Sequence, residues 1–195
     1  CLGGFIFMTT KFGSHWLPKN DLRTPIEIFL AVIFTVLLLI LGKRIPEQYL
    51  KPLKKFSVFG VLAFLISGLG VDFVKSIWGR TRPRDMLKIN DFSSFTPWYI
   101  PQGKTGNNSF PSGHANQATL LFLLTGLADA FNSLKKHEVK LFLAAWVFSF
   151  TVSLSRLIVG AHFLTDVTAA IIITFTIVYI LRILIFKTNK KNNLI

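Results

Sequence analysis

Apolar residues along this chain gather into five long runs separated by shorter polar stretches. The runs are 26–41 (Ile26 to Leu41), 56–74 (Phe56 to Val74), 113–131 (Gly113 to Phe131), 139–155 (Val139 to Ser155) and 163–186 (Phe163 to Phe186). A membrane-spanning helix needs about 20 mostly apolar residues. Lipid offers no partner to unpaired backbone groups, so these runs are predicted to be helices rather than strands. The expected fold is all-α: a polytopic membrane helix bundle with five visible transmembrane helices. The stretch 75–111 is the one long polar interruption. Its Pro83, Pro97, Pro101, Gly103 and Gly106 rule out a single helix or a further span. The whole of 1–195 is expected to form one transmembrane domain, with 75–112 as its outer active-site loop. Residues 1–8 read as the tail of a truncated earlier helix, and 187–195 as a cytoplasmic tail.

Composition agrees with the pattern. Of 195 residues, 51% are hydrophobic and 16% are charged, against roughly 25% charged in soluble domains. Mean hydropathy is +0.53. The net charge of +13 would suggest nucleic acid in a soluble protein. Here the basic residues lie in clusters between apolar runs, the pattern of topology determinants, so no nucleic-acid partner is expected. Lys43, Arg44, Lys51, Lys54 and Lys55 form one cluster and Lys135, Lys136 and Lys140 a second. Arg182, Lys187, Lys190 and Lys191 form the third. Alternating spans put all three on one side, which the positive-inside rule makes cytoplasmic. The opposite side still holds ten of the 22 Lys and Arg residues, so charge alone decides weakly. Cys1 is the sole cysteine, which excludes an internal disulfide.

Candidate chemistry sits at the outer ends of the predicted helices. Lys75, Arg82 and Pro83 follow the second run. Pro111, Ser112, Gly113 and His114 open the third. Ser155 and Arg156 close the fourth, and His162 and Asp166 open the fifth. The alternation of spans brings all of them to one side of the membrane. Arg82 and Arg156 can grip phosphate oxygens bidentately, and Lys75 adds a point charge. Ser112 supplies a hydroxyl, Gly113 allows close backbone approach, and a helix start suits an anion. If both are helical, His162 and Asp166 share a face at i,i+4. Asp166 can then take the proton on one ring nitrogen and leave the other free to attack phosphorus. His114 is placed to protonate the leaving oxygen. The same His–Asp spacing could hold a metal. No third ligand is evident, however, and three nearby cations would repel one, so no metal and no cofactor are expected. Asp72 lies inside an apolar run, three residues before Lys75, and is expected to hold that lysine. Arg80 and Arg84 either touch substrate or face water. Asn107, Asn108 and Ser109 spell a glycosylation sequon, and Trp98 and Tyr99 read as interface aromatics.

Three motifs, Lys75 with Arg82 and Pro83, Pro111 to His114, and Ser155 and Arg156 with His162 and Asp166, resemble the signature motifs of the type 2 phosphatidic acid phosphatase superfamily in its membrane branch, over about half the chain from Lys75 to Asp166. The resemblance implies that His162 is a nucleophile forming a phosphohistidine, that Asp166 orients it and that His114 is the general acid. It implies that Lys75, Arg82, Ser112, Gly113 and Arg156 bind the phosphate. It also implies six helices in the full chain, one of them before residue 9. The stretch Gly79 to Asp85, with Phe95, Thr96 and Pro97 beyond it, looks like that of bacterial members acting on lipid A or phospholipid phosphates.

The expected activity is hydrolysis of a terminal phosphate or diphosphate from a membrane lipid, independent of metal. Phosphatidic acid, phosphatidylglycerol phosphate, undecaprenyl diphosphate and lipid A remain open as substrates. The expected location is the bacterial cytoplasmic (inner) membrane with the site facing outward, and no obligate protein partner is evident. One alternative is a lipid phosphotransferase using the same phosphoenzyme. Another is a non-catalytic lipid transporter, against which the polar residues cluster at one face rather than at mid-membrane.

Overall fold

A computed structural model describes residues 32–33 and 44–187. The run 26–41, the segment 1–8 and the tail beyond Lys187 therefore lie wholly or almost wholly outside the described residues. The described residues are helical throughout their ordered elements and include no strand. Three helical stretches are long and apolar enough to cross a membrane: Glu47–Ile89, Asn132–Ile158 and Leu164–Phe186. The protein is an all-helical, polytopic membrane protein. The residues of the candidate site fall in one compact unit, Leu62–Ile195, which follows a unit Cys1–Val61.

Helix α1 (Glu47–Trp78) is longer at both ends than the apolar run 56–74 inside it. Its 32 residues span about 48 Å at 1.5 Å per residue, well beyond a hydrocarbon core of about 30 Å. Lys51, Lys54 and Lys55 thus belong to the helix rather than to a connecting loop, and Lys75 lies in its last turn. Gly79 ends it at φ +60. A left-handed residue just past a helix end suits glycine, which has no Cβ to clash. A Cβ at Gly79 would stand 2.3 Å from the Gly103 carbonyl oxygen and 2.7 Å from Thr105 Oγ1. The terminal carbonyls of α1 then find partners in the returning chain: Gln102 N donates to Trp78 O at 2.9 Å, and Gly103 N to Ile77 O at 3.1 Å.

The polar stretch after α1 is not wholly a loop. Helix α2 (Pro83–Ile89) starts with proline in its first turn, preceded by Arg82 in an extended conformation. The missing N–H of proline costs nothing at a helix start, and proline disfavours helical geometry in the residue before it. Met86 is the buried residue of α2. Arg84 N donates to Gly160 O at 2.8 Å, which ties α2 to the turn between the last two long helices. The remainder of the stretch is irregular and closes on itself through aromatics: Trp78 stacks on Phe110 at 4.7 Å, and Trp78 Nε1 donates to Trp98 O at 2.6 Å.

The run 113–131 winds as α3 (Gly113–Thr119), a tighter 3₁₀ turn (Leu120–Leu124) and α4 (Thr125–Ala130). It is not among the membrane-length apolar stretches, since His114, Asn116, Gln117 and Asp129 lower its hydropathy, and much of it is buried. Ala115, Asn116, Ala118, Thr119, Leu120, Phe122, Thr125 and Ala128 are all buried, so this segment faces protein rather than lipid. Polar side chains are tolerated there because neighbouring helices satisfy them. Asn116 Oδ1 accepts from Thr174 at 2.5 Å, and the Thr119 and Ser149 hydroxyls meet at 2.8 Å. Phe122 packs edge-on against Phe142 at 5.2 Å and Phe175 at 5.0 Å. Those partners belong to α5 (Glu138–Ile158) and α6 (Leu164–Arg182). The outward sides of α5 and α6 carry exposed Leu143, Trp146, Val147, Phe150, Ile172 and Ile180. A patch of this extent is foreign to a soluble monomer and is the expected face toward lipid.

The helix ends remote from α3's start are joined by charge. Arg182 pairs with Asp129 at 2.5 Å and also with Glu138, and Lys135 pairs with Glu138 at 2.7 Å.

Candidate active site

The candidate site forms where α1 ends, α3 and α6 begin and α5 ends. Lys75 is carried by the last turn of α1, and its ammonium lies against the first residue of α3. A Cβ on Gly113 would stand 3.0 Å from Lys75 Nζ, so the absence of a side chain at 113 makes room for the lysine. A cation beside a helix N-terminus is repulsive in itself, because that end of the dipole is also positive. An anion between the two would relieve it.

Ser112 caps α3: its Oγ accepts from Ala115 N at 3.3 Å. The hydroxyl hydrogen remains free to donate elsewhere. The same residue is pinned through its backbone, with Ser112 N donating to Asp166 O at 3.0 Å. The start of α3 and the start of α6 are therefore fastened together. Arg156, in the last turn of α5, directs Nε onto Ser155 Oγ at 3.1 Å.

His162 precedes α6 rather than lying in it, so the helical i,i+4 geometry does not apply. Its Nδ1 stands 3.8 Å from Asp166 Oδ2, too far for a hydrogen bond. Nδ1 instead meets the backbone carbonyl of Ser109 at 2.7 Å. A carbonyl oxygen can only accept, so Nδ1 carries the hydrogen and Nε2 keeps its lone pair. The orienting contact expected from Asp166 is thus made by a main-chain oxygen, and the carboxylate stands one step behind.

Asp166 is fully buried, and its oxygens are occupied. Oδ1 receives Arg80 Nη1 at 2.6 Å. Oδ2 receives Ser109 Oγ at 2.6 Å and the Phe163 backbone N–H at 2.9 Å. The last contact caps the first turn of α6. A buried carboxylate without such partners would be costly.

His114 is the exposed member of the site, in the first turn of α3 and outside the three membrane-length stretches. Desolvation of its inner side holds the imidazole below its ordinary range. Arg156, the neighbouring His162 ring, Lys75 and Arg82 act in the same direction. All four groups are thus near enough to His114 to influence its proton.

The structure therefore gathers Lys75, Arg82, Ser112, Gly113, His114, Arg156, His162 and Asp166 into one neighbourhood. Asp72 is exposed on α1. Arg84 holds Gly160 through its main chain, and its Nε lies 3.8 Å from Asp85 Oδ1. Two participants escaped sequence reasoning. Ser109 was visible only as the end of a sequon, and Arg80 carried no signal that separated burial from exposure. Among the described residues, no three of His, Cys, Asp and Glu come together in a way that could hold a metal ion.

Comparison with known proteins places this geometry in a class. The PAP2 superfamily profile matches residues 56–190, more than half of the chain and all of the site. The chain belongs to the PAP2 superfamily. It is similar to the lipid A 4'-phosphatase of Francisella tularensis subsp. novicida (strain U112), at 28% identity over 176 residues, 89% of this chain and 74% of that protein. It is also similar to phosphatidylglycerophosphatase B of Bacillus subtilis (strain 168), at 27% identity over 122 residues, 57% of this chain and 60% of that protein. No solved structure matches it.

Proposed function

We propose that this chain is an integral-membrane lipid phosphatase that works through a phosphohistidine on His162, without a metal ion. The observation that carries the reading is the 2.7 Å contact between His162 Nδ1 and the Ser109 carbonyl. It leaves Nε2 as the nucleophilic nitrogen, beside a group of fixed cations.

In the first step the Nε2 lone pair attacks phosphorus. A P–N bond forms, and the P–O bond to the lipid breaks. Lys75, Arg82 and Arg156, with the Ser112 hydroxyl, balance charge on the equatorial oxygens. His114 donates its proton to the departing lipid oxygen. In the second step His114 takes a proton from water, the water oxygen attacks phosphorus, and the P–N bond breaks to release inorganic phosphate. The imidazolium character at His162 during both steps is stabilised by the Ser109 carbonyl and the buried charge of Asp166.

The cations at Lys75, Arg82 and Arg156 suit a terminal phosphate or diphosphate carried on a lipid, and the two relatives are named for lipid A and phosphatidylglycerophosphate. The basic clusters between spans support a site facing away from the cytoplasm, in a bacterial inner membrane. The test is a phosphate-release panel with purified protein over phosphatidic acid, phosphatidylglycerol phosphate, undecaprenyl diphosphate and lipid A, run in excess chelator. Release from at least one lipid is expected. Activity lost to chelator and restored by a divalent ion would end the metal-free reading. Phosphate passing to an added lipid acceptor instead of water would convert the assignment to a phosphotransferase.

A further inference from the structure

We propose that Arg80 is a positioning residue: it does not hold the phosphate but fixes the Ser109–Asp166 frame that orients His162. The proposal rests on the nucleophilic role of His162 given above.

Arg80 is 3% exposed, unlike a cation waiting for a substrate anion. Its side chain is spent internally. Nη1 donates to Asp166 Oδ1 at 2.6 Å and to Thr165 Oγ1 at 2.8 Å, and Nε donates to the Thr96 carbonyl at 3.0 Å. The guanidinium carbon lies 4.0 Å from the centre of the Phe163 ring, with Phe95 at 5.9 Å. The ring face attracts the cation and covers it from solvent.

The main chain of Arg80 closes the frame from the other side. Its carbonyl accepts from Ser109 N at 3.0 Å. Ser109 in turn gives its own carbonyl to His162 Nδ1 and its hydroxyl to Asp166. One residue thus fixes the main chain of the histidine's acceptor and neutralises the carboxylate behind it. Arg80 brings a compensating charge to the buried carboxylate, and the charge of Asp166 stabilises the imidazole as it turns cationic. A planar fork spanning Thr96, Thr165 and Asp166 is a job for arginine, which the compact ammonium of lysine cannot reproduce.

The experiment compares Arg80→Ala, Arg80→Lys and Arg82→Ala with wild type by steady-state kinetics, by affinity for inorganic phosphate and by rapid-quench detection of phosphohistidine. For Arg80→Ala, kcat and the rate of phosphohistidine formation are expected to fall roughly 10- to 100-fold, by analogy with the loss of outer partners behind metal-ligating histidines. KM and phosphate affinity should stay near wild type, and millimolar guanidinium should restore part of kcat. Arg80→Lys, which keeps the charge and guards against a folding failure, should fall in between. Arg82→Ala should weaken phosphate binding. Weakened phosphate affinity with unchanged kcat in Arg80→Ala would make Arg80 a phosphate ligand and overturn the proposal. Wild-type values for both Arg80 variants would overturn it too. Absence of phosphohistidine in wild type would instead bring down the nucleophile reading on which it rests.

Discussion

His114 and His162 have the same side chain and stand in different surroundings. His162 is buried, with its Nδ1 held on a carbonyl. His114 is exposed, and its proton is destabilised by desolvation and by Arg156, His162, Lys75 and Arg82. A histidine titration followed by NMR should place the His114 midpoint below the ordinary value of about 6.5. Added inorganic phosphate should raise it by screening the cations. A midpoint at or above the ordinary value would contradict the gathering of cations around it. The sign also bears on stability. The folded chain binds this proton less tightly than the unfolded chain, so His114 lowers folding stability as pH falls through about 6.5. The eight motif residues stood out in the sequence because each motif joins cationic, hydroxyl or imidazole groups suited to a phosphate, and the roles given to them are the proposal made above. The hydrogen-bond network did not stand out. The contact to His162 comes from a main-chain oxygen, which every residue possesses, so no residue type announces it. The role of Arg80 depends on burial in an irregular segment that hydropathy reads simply as polar.

At the scale of elements, the apolar runs located helices but missed their ends. Hydropathy reports which residues meet hydrocarbon. α1 continues past both limits, with Pro52 inside its N-terminal extension, because Lys, Glu and Trp suit the headgroup region and are compatible with a helix. The run 113–131 is helical as expected, in a different form. It is the least apolar of the described runs, is wrapped by α5 and α6, and winds in three pieces. The polar stretch after α1 was expected as a loop, and Pro83 within it instead starts α2. Gly79 is the joint between α1 and that stretch. Gly79→Ala places a Cβ on a residue at φ +60 and 2.3 Å from the Gly103 carbonyl oxygen. The strain of the left-handed conformation alone is about 1–2 kcal/mol, and the backbone clash adds to it. The variant should melt several degrees lower in detergent and lose activity through displacement of Arg80 and Arg82. An unchanged melting temperature would show that the 102–105 return does not pack on α1 as described.

For the whole molecule, the proposed site lies at helix ends rather than in the middle of the bundle. Successive antiparallel segments carry the site residues to one rim, and the Asp129–Lys135–Glu138–Arg182 charges gather at the other helix ends. This separation can be tested by labelling. In a background with Cys1 replaced, Asn107→Cys should react with a membrane-impermeant maleimide on intact spheroplasts. Lys136→Cys should react only after permeabilisation. The reverse pattern would put the site on the cytoplasmic side.

The most direct measurement is to trap the phosphoenzyme: react the purified protein with ³²P-labelled lipid phosphate, quench in alkali, and locate the label by peptide mapping. An acid-labile, alkali-stable phosphate on His162, absent from His162→Ala, is the predicted result. Phosphate release by a folded His162→Ala protein, or label on another residue, would contradict the account.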